Sequence, residues 1–334
     1  MTHMKTAARR LAAALILTAL LLGGCAGNLS HSVQAFAAVP AYLIPGGNTV
    51  GIKLYTQGLM IVKIADGTAA QAAGLRAGDT IVAVNGEAVG TAKGLCARVQ
   101  EGNRLILTVR RGTQEAEFLV APEKAPSGYR LGISLRDHVA GIGTVTYYDP
   151  DTKQFGALGH GVSGTGGTEL TPVTSGFVVS SSVSDVQKGS RGTPGMLKGV
   201  FDLSHAVGTV TENSARGIFG VMQTLPHKAA VPVAGPGAVR TGPAKILSNV
   251  KGAEICEYDV EIVRLMPEAQ NGRDLLLRVT DPALLEATGG IVQGMSGSPI
   301  LQDGRLVGAV THVLVSDPTR GYGILIENML DAAG

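Results

Sequence analysis

Six residues near the C-terminus, Gly294 to Pro299, place a serine hydroxyl inside a glycine-rich turn. Such a hydroxyl is a weak nucleophile until a neighbouring base takes its proton and nearby donors stabilise the oxyanion. The glycine permits a tight turn in which the backbone N–H groups of Gly294 and Ser296 converge on one point. The segment predicts attack on a carbonyl by Ser296, with a two-donor oxyanion hole. A plain glycine-serine turn is the alternative.

A nucleophilic serine needs a base, and His160 is the best candidate among the seven histidines. Glycines flank it on both sides, so its ring can stand at the rim of a barrel. The alternative is a turn histidine that bonds within its own loop. His312 is the main rival, because it follows Ser296 closely in the chain.

The candidate for the third catalytic group is Asp281, which precedes the serine by 296 − 281 = 15 residues. A carboxylate there could orient the imidazole of His160. However, Asp281 followed by Pro282 is also a good helix start, with aspartate as the N-cap and proline in the first turn. Both roles stay open at this point.

The nucleophile turn has the form found in trypsin-like serine peptidases, in which a hairpin follows the serine. Here that hairpin ends in Thr311 and His312, which we expect to line the substrate pocket. The Gly-x-Ser-x-Gly elbow of α/β-hydrolases does not fit, because position 298 is serine and the chain lacks a regular strand-helix alternation. This chemistry requires no metal or organic cofactor.

Length and composition indicate the number of domains, the fold class and the partners that are excluded. A chain of 334 residues with 45% hydrophobic content predicts two domains. The 47 glycines favour many short strands joined by tight turns, so the fold class is mainly β. A net charge of +2 and 4% aromatic residues argue against nucleic acid as a partner.

Basic residues precede an apolar run from Leu11 to Leu22, which is the pattern of an export signal and is short for a membrane span. We therefore expect residues 1–25 to be a signal peptide or a membrane anchor. Leu22 to Cys25 resembles a lipoprotein processing box, and Ala35 to Ala37 resembles a signal peptidase site. A buried core helix is the structural alternative. Residues 26–44 are expected to be a linker.

Residues 45–122 carry the string Gly-Leu-x-x-Gly-Asp-x-Ile-x-x-Val-Asn-Gly, which ends at Gly86 and resembles the signature of a PDZ domain. The resemblance implies a small, partly open β-barrel with two helices and a loop that receives the terminal carboxylate of a bound peptide. The residues expected to form that loop are Thr49, Val50, Gly51 and Ile52. A purely structural turn is the alternative. Residues 123–130 read as a second linker.

Residues 131–334 form the second predicted domain, with short apolar segments punctuated by glycine and proline. Its most specific strings are Phe155 to His160, Thr280 to Pro282 and Gly289 to Ile300. These strings resemble the stage IV sporulation protein B peptidase family, a group of PDZ-containing serine peptidases of spore-forming bacteria. The resemblance implies a trypsin-like double β-barrel after the PDZ domain.

The same resemblance implies residue roles: His160 as base, Ser296 as nucleophile and Asp281 as the orienting carboxylate. One departure stands out, because family members commonly carry an aspartate a few residues after the histidine and this chain has none there. Asp149 and Asp185 are the candidates to replace it.

The resemblance further implies an exported serine endopeptidase that is membrane-anchored and then released into the space between forespore and mother cell. There it would cleave itself and a membrane-bound regulator in a signalling pathway that activates a late sigma factor. The PDZ domain would restrain the peptidase or select a peptide. The alternative from another class is a non-catalytic adaptor with a degenerate barrel. A protease of the high-temperature-requirement type carries both modules in the reverse order.

Overall fold

The computed structural model describes residues 40–163, 170, 173–267, 269 and 272–333. The predicted export segment lies outside this range. In the described part of the chain, no helix is long and apolar enough to span a membrane. Most of these residues form β-strands, which confirms the mainly β fold class.

The first part of the described chain contains two long strands and, between them, a small domain. It contains, in chain order, β1 (Tyr42–Pro45), β2 (Thr49–Ile64), α1 (Ala69–Ala72), β3 (Thr80–Val84), β4 (Glu87–Ala88), α2 (Ala92–Gln100), β5 (Leu105–Arg111), β6 (Gln114–Val120), β7 (Glu123–Ala125), β8 (Gly128–Arg130) and β9 (Ile133–Tyr148).

The second part completes two barrels. It contains β10 (Gln154–Ala157), β11 (Val173–Gln187), β12 (Met196–Ser214), β13 (Gly217–Met222), β14 (Val231–Pro232), β15 (Gly242–Ser248), β16 (Cys256–Leu265), β17 (Leu275–Val279), α3 (Pro282–Thr288), β18 (Pro299–Gln302), β19 (Arg305–Val313), β20 (Arg320–Leu325) and α4 (Ile326–Leu330).

The first barrel is a closed ring of six antiparallel strands in the order β2-β9-β10-β13-β12-β11, and β11 pairs back onto β2. Alternate residues of β2 point into its core, because side chains of a strand face opposite sides in turn. Val50, Ile52 and Leu54 are accordingly buried. The second barrel closes in the order β15-β16-β17-β20-β19-β18.

The small domain has its own hydrophobic core, which extends in sequence from Leu59 to Leu131 and includes Leu95 and Val99 of α2. Helix α2 begins where the Thr91 side chain accepts a hydrogen bond from the Gly94 N–H group. Leu95 and Val99 are four residues apart, so both face the sheet on one side of the helix.

The small domain shares both of its long strands with the first barrel. The barrel half of β2 pairs with β9 through Tyr55, and the other half pairs with the start of β9 from Met60. The register shifts between these two residues. Gly58 lies at this bend with φ of +97°, and an added Cβ would lie 2.4 Å from the Ile81 carbonyl oxygen.

These strands correct the predicted boundaries. Residues 49–55, assigned from sequence to the domain at 45–122, are barrel strand. The expected linker at 123–130 is the hairpin of β7 and β8, whose Tyr129 is hydrogen-bonded to Gln100 of α2. The end of the linker at 26–44 is strand β1, in which Leu43 is fully buried. The small domain is therefore inserted after the first barrel strand.

Candidate active site

The predicted nucleophile lies in a tight turn between the two barrels, just before β18. Gly294 and Gly297 have φ of +99° and +97°, which favour glycine. A Cβ added to Gly297 would lie 1.9 Å from the Thr144 carbonyl oxygen. Ser298 is fully buried, whereas Ser296 borders a cavity of about 540 Å³. Ser296 is therefore the serine that a substrate can reach.

Two buried threonines of β9 hold this turn across the barrel interface. Thr144 donates from its hydroxyl to the Gly294 carbonyl at 2.8 Å and from its N–H group to the Ser296 carbonyl at 2.8 Å. Thr146 donates from its hydroxyl to the Gly297 carbonyl at 2.8 Å. Sequence reasoning missed both residues, although their alternation as Thr-Val-Thr places the two hydroxyls on the same face of the strand.

The carbonyl groups of the turn thus accept hydrogen bonds, but two of its N–H groups remain available as donors. Within the described residues, the N–H groups of Gly294 and Ser296 donate to no protein acceptor. Both residues border the same cavity. This is the arrangement expected of an oxyanion hole, because free donors beside the nucleophile can accept the developing charge.

His160 borders this cavity from the opposite barrel. It follows β10 after Leu158 and Gly159, which both have φ of +68°. Leu158 is buried, so packing holds a non-glycine residue in a costly conformation next to the histidine. A Cβ on Gly159 would lie 2.8 Å from Thr311 Cγ2, which shows how closely this turn packs on the other barrel.

The imidazole of His160 is oriented by a backbone carbonyl. Its Nδ1 lies 3.0 Å from the Gly161 carbonyl oxygen. A carbonyl only accepts, so Nδ1 must carry the proton and Nε2 keeps the lone pair that a base needs. Burial lowers the pKa of His160 from its ordinary value of 6.5, and the hydrogen bond to Gly161 partly offsets this shift. The ring is therefore neutral at neutral pH.

Ser296 and His160 share the cavity but are not hydrogen-bonded to each other. The Ser296 hydroxyl donates instead to the Thr311 carbonyl oxygen at 2.7 Å. A rotation about the Cα–Cβ bond is the change that would free this hydroxyl. The structure thus shows the predicted nucleophile bonded to Thr311 and not to the predicted base.

The two predicted pocket residues also border the cavity. Thr311 is buried, and its hydroxyl donates to the Gly272 carbonyl at 2.8 Å. The ring of His312 lies 5.0 Å from that of His160, centroid to centroid. Burial, followed by the charges of His160 and Arg273, lowers the pKa of His312 to about 4. His312 is therefore neutral at neutral pH.

Asp281 does not contact His160 in the structure. Its carboxylate accepts hydrogen bonds from the Leu284 N–H group at 3.0 Å and from the Asp259 N–H group at 3.2 Å. It thus caps α3, which ends at Gly289 in the left-handed conformation. Its orienting role stays a prediction that the family resemblance implies.

The two substitute aspartates are also engaged away from the histidine. Asp149 accepts hydrogen bonds from the N–H groups of Asp151 and Thr152 in a local turn. Asp185 forms a 2.8 Å ion pair with Lys198. Neither borders the cavity, so the Gly161 carbonyl is the group that orients His160 in this structure.

The predicted peptide loop at Thr49, Val50, Gly51 and Ile52 is wrong. These four residues are paired with β9 on one side, and those from Val50 onward are paired with β11 on the other, so no free strand edge remains there. Thr49, Val50 and Ile52 are also buried.

The small domain has a free strand edge beside a second cavity, of about 380 Å³. Cys96 and Val99 of α2 form one wall, and the segment from Leu131 to Leu135 forms the other. This part of β9 pairs only with β2 among the described residues, so its edge towards α2 is unpaired. An extended peptide can add to such an edge as a further strand.

Comparisons with known proteins match both parts of the chain. A family model described as SpoIVB peptidase S55 matches residues 127–330, which is more than half of the chain. A PDZ domain model matches residues 60–111, after the barrel half of β2. The predicted PDZ domain is therefore confirmed, and it coincides with the small domain.

Three solved structures are similar to parts of the chain. One is the PDZ domain of an SdrC-like protein from Listeria monocytogenes, with 20% identity over 24% of this chain and 90% of that chain and a TM-score of 0.23. Another is the inactive form of the Rv3671c protease, with 16% identity over 56% and 80% of the two chains and a TM-score of 0.35. The third is an inactive serine-to-alanine mutant of Rv3671c from M. tuberculosis H37Rv, with 15% identity, 58% and 82% coverage and a TM-score of 0.34.

The contacts of Asp281 predict the effect of its substitution. Asp281→Asn should retain turnover and lower the melting temperature only slightly, because the single amide oxygen of asparagine can still cap the Leu284 N–H group while the exposed contact with the Asp259 N–H group is lost. Asp281→Ala should lower the free energy of unfolding by about 0.5–2 kcal/mol without changing turnover per folded molecule. Thermal denaturation and peptide hydrolysis measure the two effects. A loss of turnover in Asp281→Asn at unchanged melting temperature would instead establish the orienting role.

The contacts of Thr144 predict that it positions the nucleophile. Thr144→Val removes the hydroxyl and leaves the Gly294 carbonyl unpaired, so the turn should shift and kcat/KM should fall about 10- to 100-fold. Thr144→Ser should restore most of the activity. The matched control is Thr209→Val on the exposed face of β12, which should be neutral. Equal hydrolysis by Thr144→Val and wild type, assayed well below the melting temperature, would contradict this role.

Proposed function

The chain belongs to the SpoIVB peptidase S55 family, and from this membership we propose that it is an exported serine endopeptidase with a trypsin-like mechanism. It is a serine peptidase that carries a PDZ domain. The observation that carries the proposed mechanism is the convergence of Ser296, His160 and the free N–H groups of Gly294 and Ser296 on one cavity.

In the proposed reaction, the Ser296 hydroxyl turns from the Thr311 carbonyl towards Nε2 of His160. As its oxygen bonds to the substrate carbonyl carbon, its proton passes to Nε2, and the carbonyl electron pair moves onto the oxygen. The N–H groups of Gly294 and Ser296 stabilise that oxyanion. The leaving amine takes the proton from His160, and water then releases the acyl group from Ser296 by the same two steps.

The biological setting is also a proposal. We place the peptidase outside the cytoplasm, first membrane-anchored and then released into the space between forespore and mother cell. There it cleaves itself and a membrane-bound regulatory protein in the signalling pathway that leads to late sigma-factor activation. The family membership and the basic-then-apolar N-terminal sequence support this setting.

The PDZ domain is proposed to bind a peptide in the groove between α2 and the segment from Leu131 to Leu135, instead of at the barrel strand predicted from sequence. The free strand edge and the adjoining cavity support this location. A peptide bound there adds main-chain hydrogen bonds to β9, and its side chains enter the cavity beside α2.

The second candidate function is that of a non-catalytic adaptor, because the Ser296 hydroxyl is bonded to Thr311 and not to His160. A non-catalytic chain would bind peptides through its PDZ domain and hydrolyse none. The engagement of the Ser296 hydroxyl by Thr311 is the observation that favours it. The free oxyanion donors favour the peptidase.

Ser296 and His160 are tested together. A fluorophosphonate probe should label wild type at Ser296, and Ser296→Ala should lose both labelling and hydrolysis. His160→Ala should lower kcat by about 10²-fold or more, because the general base is removed. His312→Ala is the matched control, since it removes the neighbouring ring, and should retain labelling. Normal turnover in His160→Ala, or full hydrolysis by Ser296→Ala, would overturn the mechanism.

The groove is tested through Cys96, which is exposed and borders it. Alkylation of the full chain with N-ethylmaleimide should abolish capture of peptides from a library displayed with free C-termini, because the adduct fills the cavity. Cys96→Ser should capture the same peptides and should resist the reagent. Capture that survives complete alkylation of Cys96, confirmed by mass spectrometry, would place the peptide elsewhere.

A further inference from the structure

The cavity that Ser296 and His160 border is lined by a positive charge and, among the described residues, by no negative charge. Its walls are mainly aliphatic, with Ile142, Val292 and Val313 among them. Of the described residues that border it, none is acidic, and Arg273 alone carries a fixed charge. His312, with its pKa lowered to about 4, adds no charge at neutral pH.

Arg273 has no acidic partner in the part of the chain that the structure describes. Its guanidinium carbon lies 5.2 Å from the centre of the Tyr322 ring, a cation–π distance that leaves its N–H donors available. The side chain is exposed at the mouth of the cavity. An arginine in this position can bind a carboxylate through its N–H groups.

The neighbouring acid in sequence is engaged elsewhere. Asp274 is buried, and its carboxylate accepts hydrogen bonds from the Leu325 N–H group at 2.9 Å and from the Asn328 amide at 2.7 Å. These contacts hold it at the start of α4. On the other side of Arg273, the Gly272 carbonyl accepts from the Thr311 hydroxyl, so the backbone before Arg273 is tied to the pocket wall.

Building on the proposed peptidase function, we propose that Arg273 selects substrates that carry an aspartate or glutamate beside the cleaved bond. A guanidinium binds a carboxylate through two parallel N–H···O bonds and attracts it more strongly than a neutral amide. Apolar substrate side chains then pack on the aliphatic walls. The substrate class is thus an extended segment that combines apolar residues with an acidic one close to the scissile bond.

The test uses the full chain and a peptide library prepared by digestion of a proteome. Wild type should enrich Asp and Glu within a few residues of the cleaved bonds, and Arg273→Gln should lose this enrichment. Arg273→Glu should shift the preference towards Lys and Arg. Arg264→Glu is the matched control, because Arg264 is an exposed arginine of the same barrel that does not border the cavity.

Matched synthetic peptides then measure the effect. For one cleaved peptide and its Glu-to-Gln analogue, wild type should prefer the acid in kcat/KM by about tenfold or more. Arg273→Gln should reduce that ratio to about one. Equal rates on both peptides in wild type, with hydrolysis that depends on Ser296, would overturn this inference alone. Absence of any Ser296-dependent hydrolysis would overturn the proposed function and this inference with it.

Discussion

Strand β9 is the constraint on which the rest of the molecule depends. Its first residues form the free edge of the groove beside α2, and Val139 to Ile142 form a wall of the cavity that Ser296 and His160 border. Its last residues include Thr144 and Thr146, which hold the nucleophile turn. Both sites therefore share one backbone. Because β2 pairs with β9 on both sides of the bend at Gly58, two strands and not a single flexible linker join the PDZ domain to the barrel.

The nucleophile turn illustrates why that strand must lie where it does. Gly297 packs so closely on Thr144 that no side chain fits between them. The turn carbonyls are buried, and each would cost about 1–3 kcal/mol if it lost its partner. With its carbonyls bonded to β9, the turn keeps the N–H groups of Gly294 and Ser296 on the cavity side. The barrel interface thus positions the proposed oxyanion donors, since neither barrel alone supplies both the turn and its partners.

Much of this architecture was predictable from local pattern. The glycine-flanked His160, the Ser296 turn and the helix starts at Thr91 and Asp281 all depend on neighbours in sequence. The boundary of the PDZ domain depends instead on which distant strand a segment pairs with. Gly-Ile-x-Leu occurs twice, at Gly51 and at Gly132, and both copies form strands. Only tertiary pairing decides that the first copy lies in the barrel and the second lines the groove.

Local sequence also does not predict which charged or polar group contacts His160. The sequence offers Asp281, Asp149 and Asp185 as candidates, but these carboxylates cap a helix, close a turn and pair with Lys198, and His160 is left with the carbonyl of Gly161. A neutral carbonyl holds the tautomer but offsets the charge of an imidazolium less than a carboxylate does. Burial opposes that charge further, whereas the guanidinium of Arg273 acts on the neighbouring ring of His312. With the proposed specificity, a substrate carboxylate bound by Arg273 adds a negative charge to the cavity that His160 borders, which favours the imidazolium that forms when the proton leaves Ser296.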